Sequence, residues 1–415
     1  MRDIDTTFKY VGLAAIALLV FGLAGWYVFI GRQTADVGDL SESRGFNVGV
    51  PSFTGSRGST AENIALGFGA SLIEAGVASS SGERPRPPRM WRVSSSPVAG
   101  AGFVQSGDAN TLRFVERSTG HVFDADPRTG TVARRTNRLI PKVYDAAVGP
   151  GGAIVARSFS DEGVRATFVG SLGTTTVDGF TPLEGVDLGP QITDIAFTSS
   201  SSILFLTREK GGTQLIRSGL DGSKSTQVVS LFAGEFDMNL LPDGRVTLTE
   251  KPASGIAGNA YEVGKDGSLI ALTRNTSGLT LLARASSSAL FVGTDAENRL
   301  ALSVRPSREA ALTTLNLATI ADKCAWVPGI SLTAFCAVPQ VAPGAGYLTN
   351  WHRGKIHTTD SWYRIEAVAT TSEKFFEMSI DSAIDVENPF MDGKGEYLVF
   401  MNARDKSLWI LRITE

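Results

Sequence analysis

The feature that most constrains the fold of this chain is a unit of short apolar strands that recurs about every fifty residues. An Asp lies inside an apolar run just before a turn in VYDAAVGPGG, ITDIAFTSSS, EFDMNLLPDG and AIDVENPFMDG. Asp145, Asp194 and Asp237 are separated by 49 and 43 residues, and Asp385 follows 148 residues later, about three periods on. Repeats of about 40 to 50 residues are typical of four-stranded β-propeller blades.

Seven copies of this unit can be placed after residue 90. Besides the four copies that contain an Asp, copies are read from Val98, from Leu279 and from Leu332. The 325 residues after position 90, at about 46 per copy, also give seven, although six or eight blades would fit. The last copy supplies three strands, so MWRV at 90–93 is predicted to complete it and close the ring. The sequence therefore predicts an all-β, seven-bladed β-propeller over residues 90–415.

An uncharged apolar segment precedes the predicted propeller. Residues 11–30 read VGLAAIALLVFGLAGWYVFI, twenty residues without a charge. At about 1.5 Å per residue, a helix of this length spans the roughly 30 Å hydrocarbon core of a bilayer. The alternative is a cleaved signal peptide, but the run is long for one and no clean A-x-A site follows. We predict one transmembrane helix, with residues 1–10 on the cytoplasmic side because Lys9 and the amino terminus favour that orientation.

Residues 31–89 are rich in Gly, Ser, Arg and Pro and are predicted to form a flexible linker. A short helix could form over residues 60–75, because Ser59 and Glu62 make a capping-box pattern before an apolar repeat of every fourth residue. Such a helix could dock on the propeller or on a partner, or form only transiently.

The two cysteines give a second indication of where the propeller lies. Cys324 and Cys336 are 12 residues apart in KCAWVPGISLTAFC, at the predicted junction of two repeats. A disulfide between them would require the oxidising side of the membrane, whereas two buried free thiols would not. Together with the predicted helix, a disulfide would favour a single-pass protein of the cell membrane with its propeller on the extracytoplasmic side.

Composition and motifs exclude several functional classes. A net charge of −3 and a pI of about 5.8 give no electrostatic reason to expect nucleic-acid binding, which requires a strongly basic face. The chain has three histidines, His121, His352 and His357, and contains no G-x-S-x-G elbow, no metal-ligand spacing and no phosphate-binding loop. The sequence therefore predicts no catalytic set, no metal site and no cofactor.

The repeated aspartates are the first candidate site. If Asp145, Asp194, Asp237 and Asp385 lie at equivalent positions of inner strands, they could ring the central channel and hold a cation or attract a basic partner. The alternative is local, since a carboxylate in a strand can accept hydrogen bonds from neighbouring backbone N–H groups.

Aromatic residues of the predicted sixth blade are the second candidate site. Aromatic clusters with polar groups mark protein interfaces and sugar-binding faces, but they also fill cores. The candidate binding residues are Tyr347, Trp351, His352, Trp362 and Tyr363. Strand alternation places Trp362 and Tyr363 on opposite faces, so only part of the set can be exposed.

The repeats resemble those of the PD40/TolB-like family of WD40-like propellers. LPDGRVTLTE matches the P-D-G turn and following apolar strand of that family, and GPGGAIVARS and FMDGKGEYLVFM match it loosely. About the last hundred residues, with GYLTNWHRGKIHTTDSWYRI and GKGEYLVFMNARDKSLWILRI, resemble uncharacterised membrane-anchored propellers of candidate phyla radiation bacteria. The resemblance implies a bacterial cell-surface location and supplies no activity.

The sequence thus favours a membrane-anchored propeller that binds an envelope protein partner or a ligand and has no enzymatic activity. The alternative is an envelope enzyme or glycan-binding protein that uses the mouth of the channel.

Overall fold

The computed structural model describes residues 86–414, apart from 107–108, 161, 210–211, 232–233 and 297–298. The predicted transmembrane helix at 11–30 and short helix at 60–75 lie outside the described residues, as does the predicted linker up to residue 85. In the described part of the chain, no helix is long and apolar enough to cross a bilayer.

Short strands joined by tight turns account for almost all of the regular structure. One α-helix, α1 (Tyr347–His352), lies in the described residues, together with three 3-10 turns, at Pro150–Gly152, Ala321–Lys323 and Ile380–Ser382. In chain order the strands are β1 (Met90–Ser94), β2 (Val98–Ser106), β3 (Ala109–Glu116), β4 (Val122–Ala125), β5 (Val132–Arg134), β6 (Val143–Val148), β7 (Ile154–Phe159), β8 (Arg165–Leu172), β9 (Leu183–Asp187), β10 (Ile192–Phe197), β11 (Ser202–Glu209), β12 (Gly212–Gly219), β13 (Thr226–Leu231), β14 (Phe236–Leu240), β15 (Val246–Glu250), β16 (Ala257–Val263), β17 (Leu269–Ser277), β18 (Thr280–Ala283), β19 (Leu290–Ala296), β20 (Arg299–Arg305), β21 (Thr313–Thr314), β22 (Cys324–Trp326), β23 (Thr333–Pro339), β24 (Asp360–Glu366), β25 (Thr371–Phe376), β26 (Val386–Met391), β27 (Tyr397–Asn402) and β28 (Leu408–Arg412).

These strands form seven four-stranded antiparallel sheets, the blades of a propeller. Blades 1 to 6 each use four consecutive strands, from β2–β5 to β22–β25, and blade 7 has the order β26, β27, β28, β1. Strand β1 pairs with β28, with Met90 opposite Leu411. Both the blade number and the closing strand predicted from the sequence are therefore confirmed. The first strands of several neighbouring blades contact one another, which places the first strand of a blade at the central channel.

The core lies between the blades, because each blade packs against a neighbour on both sides. Every residue of β23 and of β27 is buried for this reason. One such layer joins blades 6 and 7, where Trp362 packs edge-on against Phe400 at 5.4 Å between ring centroids. Strands buried on both faces read as continuous apolar runs, which is why YLVFM shows no alternation.

The start of the sixth blade differs from the prediction. The segment from Leu332, expected to open that blade, is its second strand, β23, and the first strand is the three-residue β22. A strand this short, without the Asp of other copies, carries too little pattern to be recognised. As a result, the cysteines do not lie at a junction between blades. Cys324 and Cys336 are directly opposite each other on β22 and β23 and form a disulfide bond.

Close packing of the inner strands makes one glycine sensitive to substitution. A Cβ on Gly100 in β2 would lie 1.8 Å from the carbonyl oxygen of Ala146 in β6, so the two blades would have to separate. We expect Gly100→Ala to lower the free energy of unfolding by about 1 to 3 kcal/mol, measured by chemical denaturation. Gly344→Ala is the control, because a Cβ there would have no neighbour within 4 Å. Equal stability of the two variants would contradict this account of the blade contact.

Candidate functional site

One end of the ring carries the loops relevant to binding. Because successive strands of a blade are antiparallel, the loops between second and third strands and the connections from blade to blade emerge at the same end. We call this end the upper face; it includes the loops at 251–256 and 340–359. The lower face carries the remaining hairpins.

A cavity of about 750 Å³ opens on the upper face. Its lining comes from blades 2, 3 and 4, and Asn388 of blade 7 contributes from farther around the ring, so the cavity is the mouth of the central channel. We call it the channel mouth. Three of the four repeated aspartates line it, and each lies on the first strand of its blade. The charged lining residues are Asp145, Asp194, Asp237, Glu235, Arg157, Arg165, Arg208 and Lys251.

Asp145 is engaged by an arginine that links two blades. Its carboxylate lies 3.0 Å from the guanidinium of Arg157. The Arg157 side chain is 9% exposed and also donates hydrogen bonds to the carbonyl oxygens of Ile192 and Thr193 in blade 3, at 3.4 and 2.7 Å. This carboxylate therefore helps to hold blades 2 and 3 together.

Asp194 is also committed to structure. One carboxylate oxygen accepts a hydrogen bond from the backbone N–H of Ile195 at 2.8 Å, and the other accepts from Met238 of blade 4 at 2.7 Å. Burial in the channel wall, only partly offset by the Met238 amide, raises the pKa of Asp194 to about 6. Through the Met238 hydrogen bond, this side chain joins blades 3 and 4.

Asp237 differs from the other two. Its side chain is exposed in the channel mouth, and no described residue hydrogen-bonds to its carboxylate or forms an ion pair with it. Removal from bulk water inside the mouth raises the pKa of Asp237, while Lys251 opposes that change. Asp237 is thus the acceptor that the inner wall offers to a ligand.

The rim of the channel mouth is mostly cationic. Arg165 begins the third strand of blade 2, Arg208 lies near the end of a second strand and Lys251 directly follows one, and all three side chains are exposed. Arg208 pairs with Glu235, and the Lys251 ammonium is 3.9 Å from the same carboxylate. The site therefore presents an acidic interior behind a rim that carries both charges.

Helix α1 lies on the upper face beside this mouth. Thr349 exchanges two hydrogen bonds with Ser254 of blade 4, at 2.8 and 3.0 Å, and the N–H of Leu348 donates to Asp295 of blade 5 at 3.0 Å. At its end, His352 lies 3.3 Å from Asp322. Partial removal from water would by itself lower the pKa of His352, but the hydrogen bond and charge of Asp322 outweigh that effect and raise the pKa. The helix thereby bridges blades 4, 5 and 6.

The predicted aromatic site is not gathered on one exposed surface. Tyr347 and Trp351 lie on the buried side of α1, and Trp362 is buried between blades 6 and 7. Tyr363 is partly buried and packs against another core cluster, which leaves only His352 exposed. The three buried rings stabilise the blade and offer little surface to a ligand.

Asp385 does not lie in the channel mouth, so its predicted equivalence with the other aspartates is wrong. It precedes β26 and falls outside the strand ladder, whereas the other three pair with the second strand of their blade. Its carboxylate accepts a hydrogen bond from the Lys323 ammonium at 2.6 Å, and Asp360 accepts a second at 2.7 Å. All three side chains are 0% exposed. The indole of Trp351 also donates to Asp385, at 3.0 Å.

Sequence reasoning missed Lys323. The one signal in the sequence is that Lys323 directly precedes the apolar run CAWV, which is typical of a buried strand. A lysine that is buried with such a strand requires acidic partners. As for metals, no three His, Cys, Asp or Glu side chains within residues 86–414 are arranged to hold an ion, counting only the described positions.

Comparison with known proteins identifies the fold. No family model and no curated protein sequence matches the chain. Among solved structures, YCF48 from Cyanidioschyzon merolae matches with a TM-score of 0.52 at 11% identity, over 78% of this chain and 98% of that one. TolB from Acinetobacter baumannii matches with a TM-score of 0.38 at 10% identity, over 71% of this chain and 60% of that one. The Neurospora crassa Pan2 WD40 domain gives 0.49 at 10% identity, over 77% and 92%. At 11% identity, the likeness to YCF48 shows a shared fold alone.

Proposed function

We propose that this chain is a non-catalytic interaction propeller that binds a protein partner at the channel mouth. The observation that carries the proposal is the free carboxylate of Asp237 inside a cavity of about 750 Å³. A propeller suits this role because its loops present a wide, stiff surface around such a cavity. A cationic group of the partner would supply the hydrogen bonds that no described residue gives to Asp237.

The absence of catalysis is part of the proposal. Acid and base chemistry on a glycan or another substrate needs two carboxyl groups free to reach it. Both carboxylate oxygens of Asp194 accept hydrogen bonds from backbone N–H groups, and the carboxylate of Asp145 is paired with Arg157. Neither of these two aspartates is therefore free to act on a substrate together with Asp237.

Placement at a membrane is the other part of the proposal. The uncharged segment at 11–30 supports a single transmembrane helix with the N-terminus inside. The Cys324–Cys336 disulfide supports an extracytoplasmic propeller, because such bonds persist in oxidising compartments. A cell-surface location is also what the resemblance of the C-terminal sequence to membrane-anchored propellers of candidate phyla radiation bacteria implies.

Selection from a random peptide display library on the immobilised full chain tests the binding site. We expect charge reversal by Asp237→Lys to weaken the selected peptides at least about tenfold, since a charge-assisted hydrogen bond contributes about 1.5 to 3 kcal/mol. Asp178→Lys is the matched control, because Asp178 is exposed on the lower face between β8 and β9. Peptides that bind wild type and Asp237→Lys equally would contradict the proposed site.

A further inference from the structure

A second cavity adjoins the channel mouth on the upper face. It has a volume of about 420 Å³, and Glu235 and Lys251 border both cavities, so the two form one continuous depression. We call it the outer pocket. Its apolar wall consists of Pro252, Ala253, Ile256, Ala257 and Leu279. Ile256 is 64% exposed, so its side chain is available to a partner.

The end of a strand pair borders the outer pocket. The ladder between β15 and β16 ends at the pair Thr249 and Ala260, beyond which the two strands diverge around the loop at 251–256. The carboxylate of Glu250 spans the opening and accepts a hydrogen bond from the N–H of Asn259 at 3.0 Å. Ala257 and Gly258 line the pocket on the β16 side. The depression therefore joins the carboxylate in the channel mouth to an apolar wall beside a strand end, and one extended chain can reach both.

We infer that the combined depression binds an extended peptide segment of a partner protein, with a lysine or arginine that reaches Asp237 and an apolar side chain that enters the outer pocket. This inference rests on the proposed function and names its ligand. Charge complementarity selects the basic residue, because Asp237 is the unpaired carboxylate of the inner wall. The apolar wall at Ile256 and Leu279 selects the second residue. A neutral sugar supplies neither a cation nor an apolar side chain of this kind.

Matched substitutions on both sides of the complex test the two contacts. The probe is a peptide selected on the wild-type full chain, with analogues in which its basic residue is changed to Gln or its apolar residue to Ala. We expect Asp237→Asn and Ile256→Asp each to raise the Kd about tenfold, measured by fluorescence anisotropy. Each protein variant should lose sensitivity to its own peptide analogue only. Asp237→Asn should bind the selected peptide and its Gln analogue with the same Kd. Ile256→Asp should bind the selected peptide and its Ala analogue with the same Kd.

Ile330→Asp is the control, because Ile330 is fully exposed at 102% in the β22–β23 hairpin of the lower face. It should leave the Kd unchanged. Selected peptides that depend on Asp237 but not on Ile256 would overturn the inference and leave the proposed function standing. Selected peptides without a basic residue would also overturn the inference. Binding that depends on neither residue would overturn both.

Discussion

Lys323→Met is expected to lower the free energy of unfolding of the propeller by about 3 to 5 kcal/mol, because it removes one partner of a buried ion cluster. The Lys323 ammonium lies 2.6 Å from Asp385 and 2.7 Å from Asp360, and none of these side chains is exposed. Methionine fills a similar volume without the charge, so two carboxylates would stay buried without their cation. Chemical denaturation of the full chain measures the loss.

The pH dependence of stability separates this explanation from a simple packing defect. Burial favours the neutral form of Asp385, but Lys323 outweighs it and lowers the pKa of that carboxyl group. In the wild type, this contribution to stability is therefore present above the ordinary pKa of an Asp and is lost as the pH falls through the lower folded value. Without Lys323, burial raises the pKa instead, so the variant should gain stability as the pH falls toward that ordinary value.

Lys265→Met is the control for Lys323→Met, because Lys265 is an exposed lysine in the turn between β16 and β17. It should leave the free energy of unfolding almost unchanged. A Lys323→Met variant as stable as this control, with an unchanged pH profile, would show that the cluster does not stabilise the fold.

The same cluster connects blade packing to the proposed binding face. Asp385 accepts hydrogen bonds from Lys323 and from the indole of Trp351 in α1. Thr358, in the loop that carries α1 back to β24, also contacts the ammonium at 2.9 Å. Loss of Lys323 should therefore loosen the α1 loop before it affects blades 2 to 4, which line most of the channel mouth.

The architecture could be predicted because its signals are local. Turn residues and apolar runs recur along the chain, and the three-stranded last copy requires a partner such as 90–93. The ion cluster could not be predicted, because Lys323 meets residues 37 and 62 positions away. Nor does a sequence show which aspartate of a repeat is free. The second oxygen of Asp194 is engaged because the N–H of Met238 in the next blade donates to it.

The aromatic residues show a related limit. Alternation indicates that Trp362 and Tyr363 face opposite sides of β24, but in a propeller both sides of an inner blade strand face other blades. Burial of Trp362 follows from the position of blade 7, which the local pattern does not contain. The channel mouth likewise cannot be predicted from a local pattern, because its lining residues come from several blades that only the closed ring brings together.

Replacement of both cysteines by serine is expected to lower the free energy of unfolding by about 3 kcal/mol, the value for closure of a loop of this size in the chain-entropy model. Cys324 lies in β22, whose ladder with β23 contains only two further pairs, Ala325 with Phe335 and Trp326 with Ala334. So short a first strand depends on the covalent link to keep its place beside the channel. Chemical denaturation with and without a reductant measures the effect.

The reductant provides the control for this double variant. Reduced wild type should match the double variant, and the variant itself should not respond to reductant. If instead the wild type is equally stable when reduced, the bond contributes nothing to the stability of the fold. If the loss is as large as expected, a cytoplasmic propeller would lack that stabilisation throughout its lifetime, because thiols there are kept reduced.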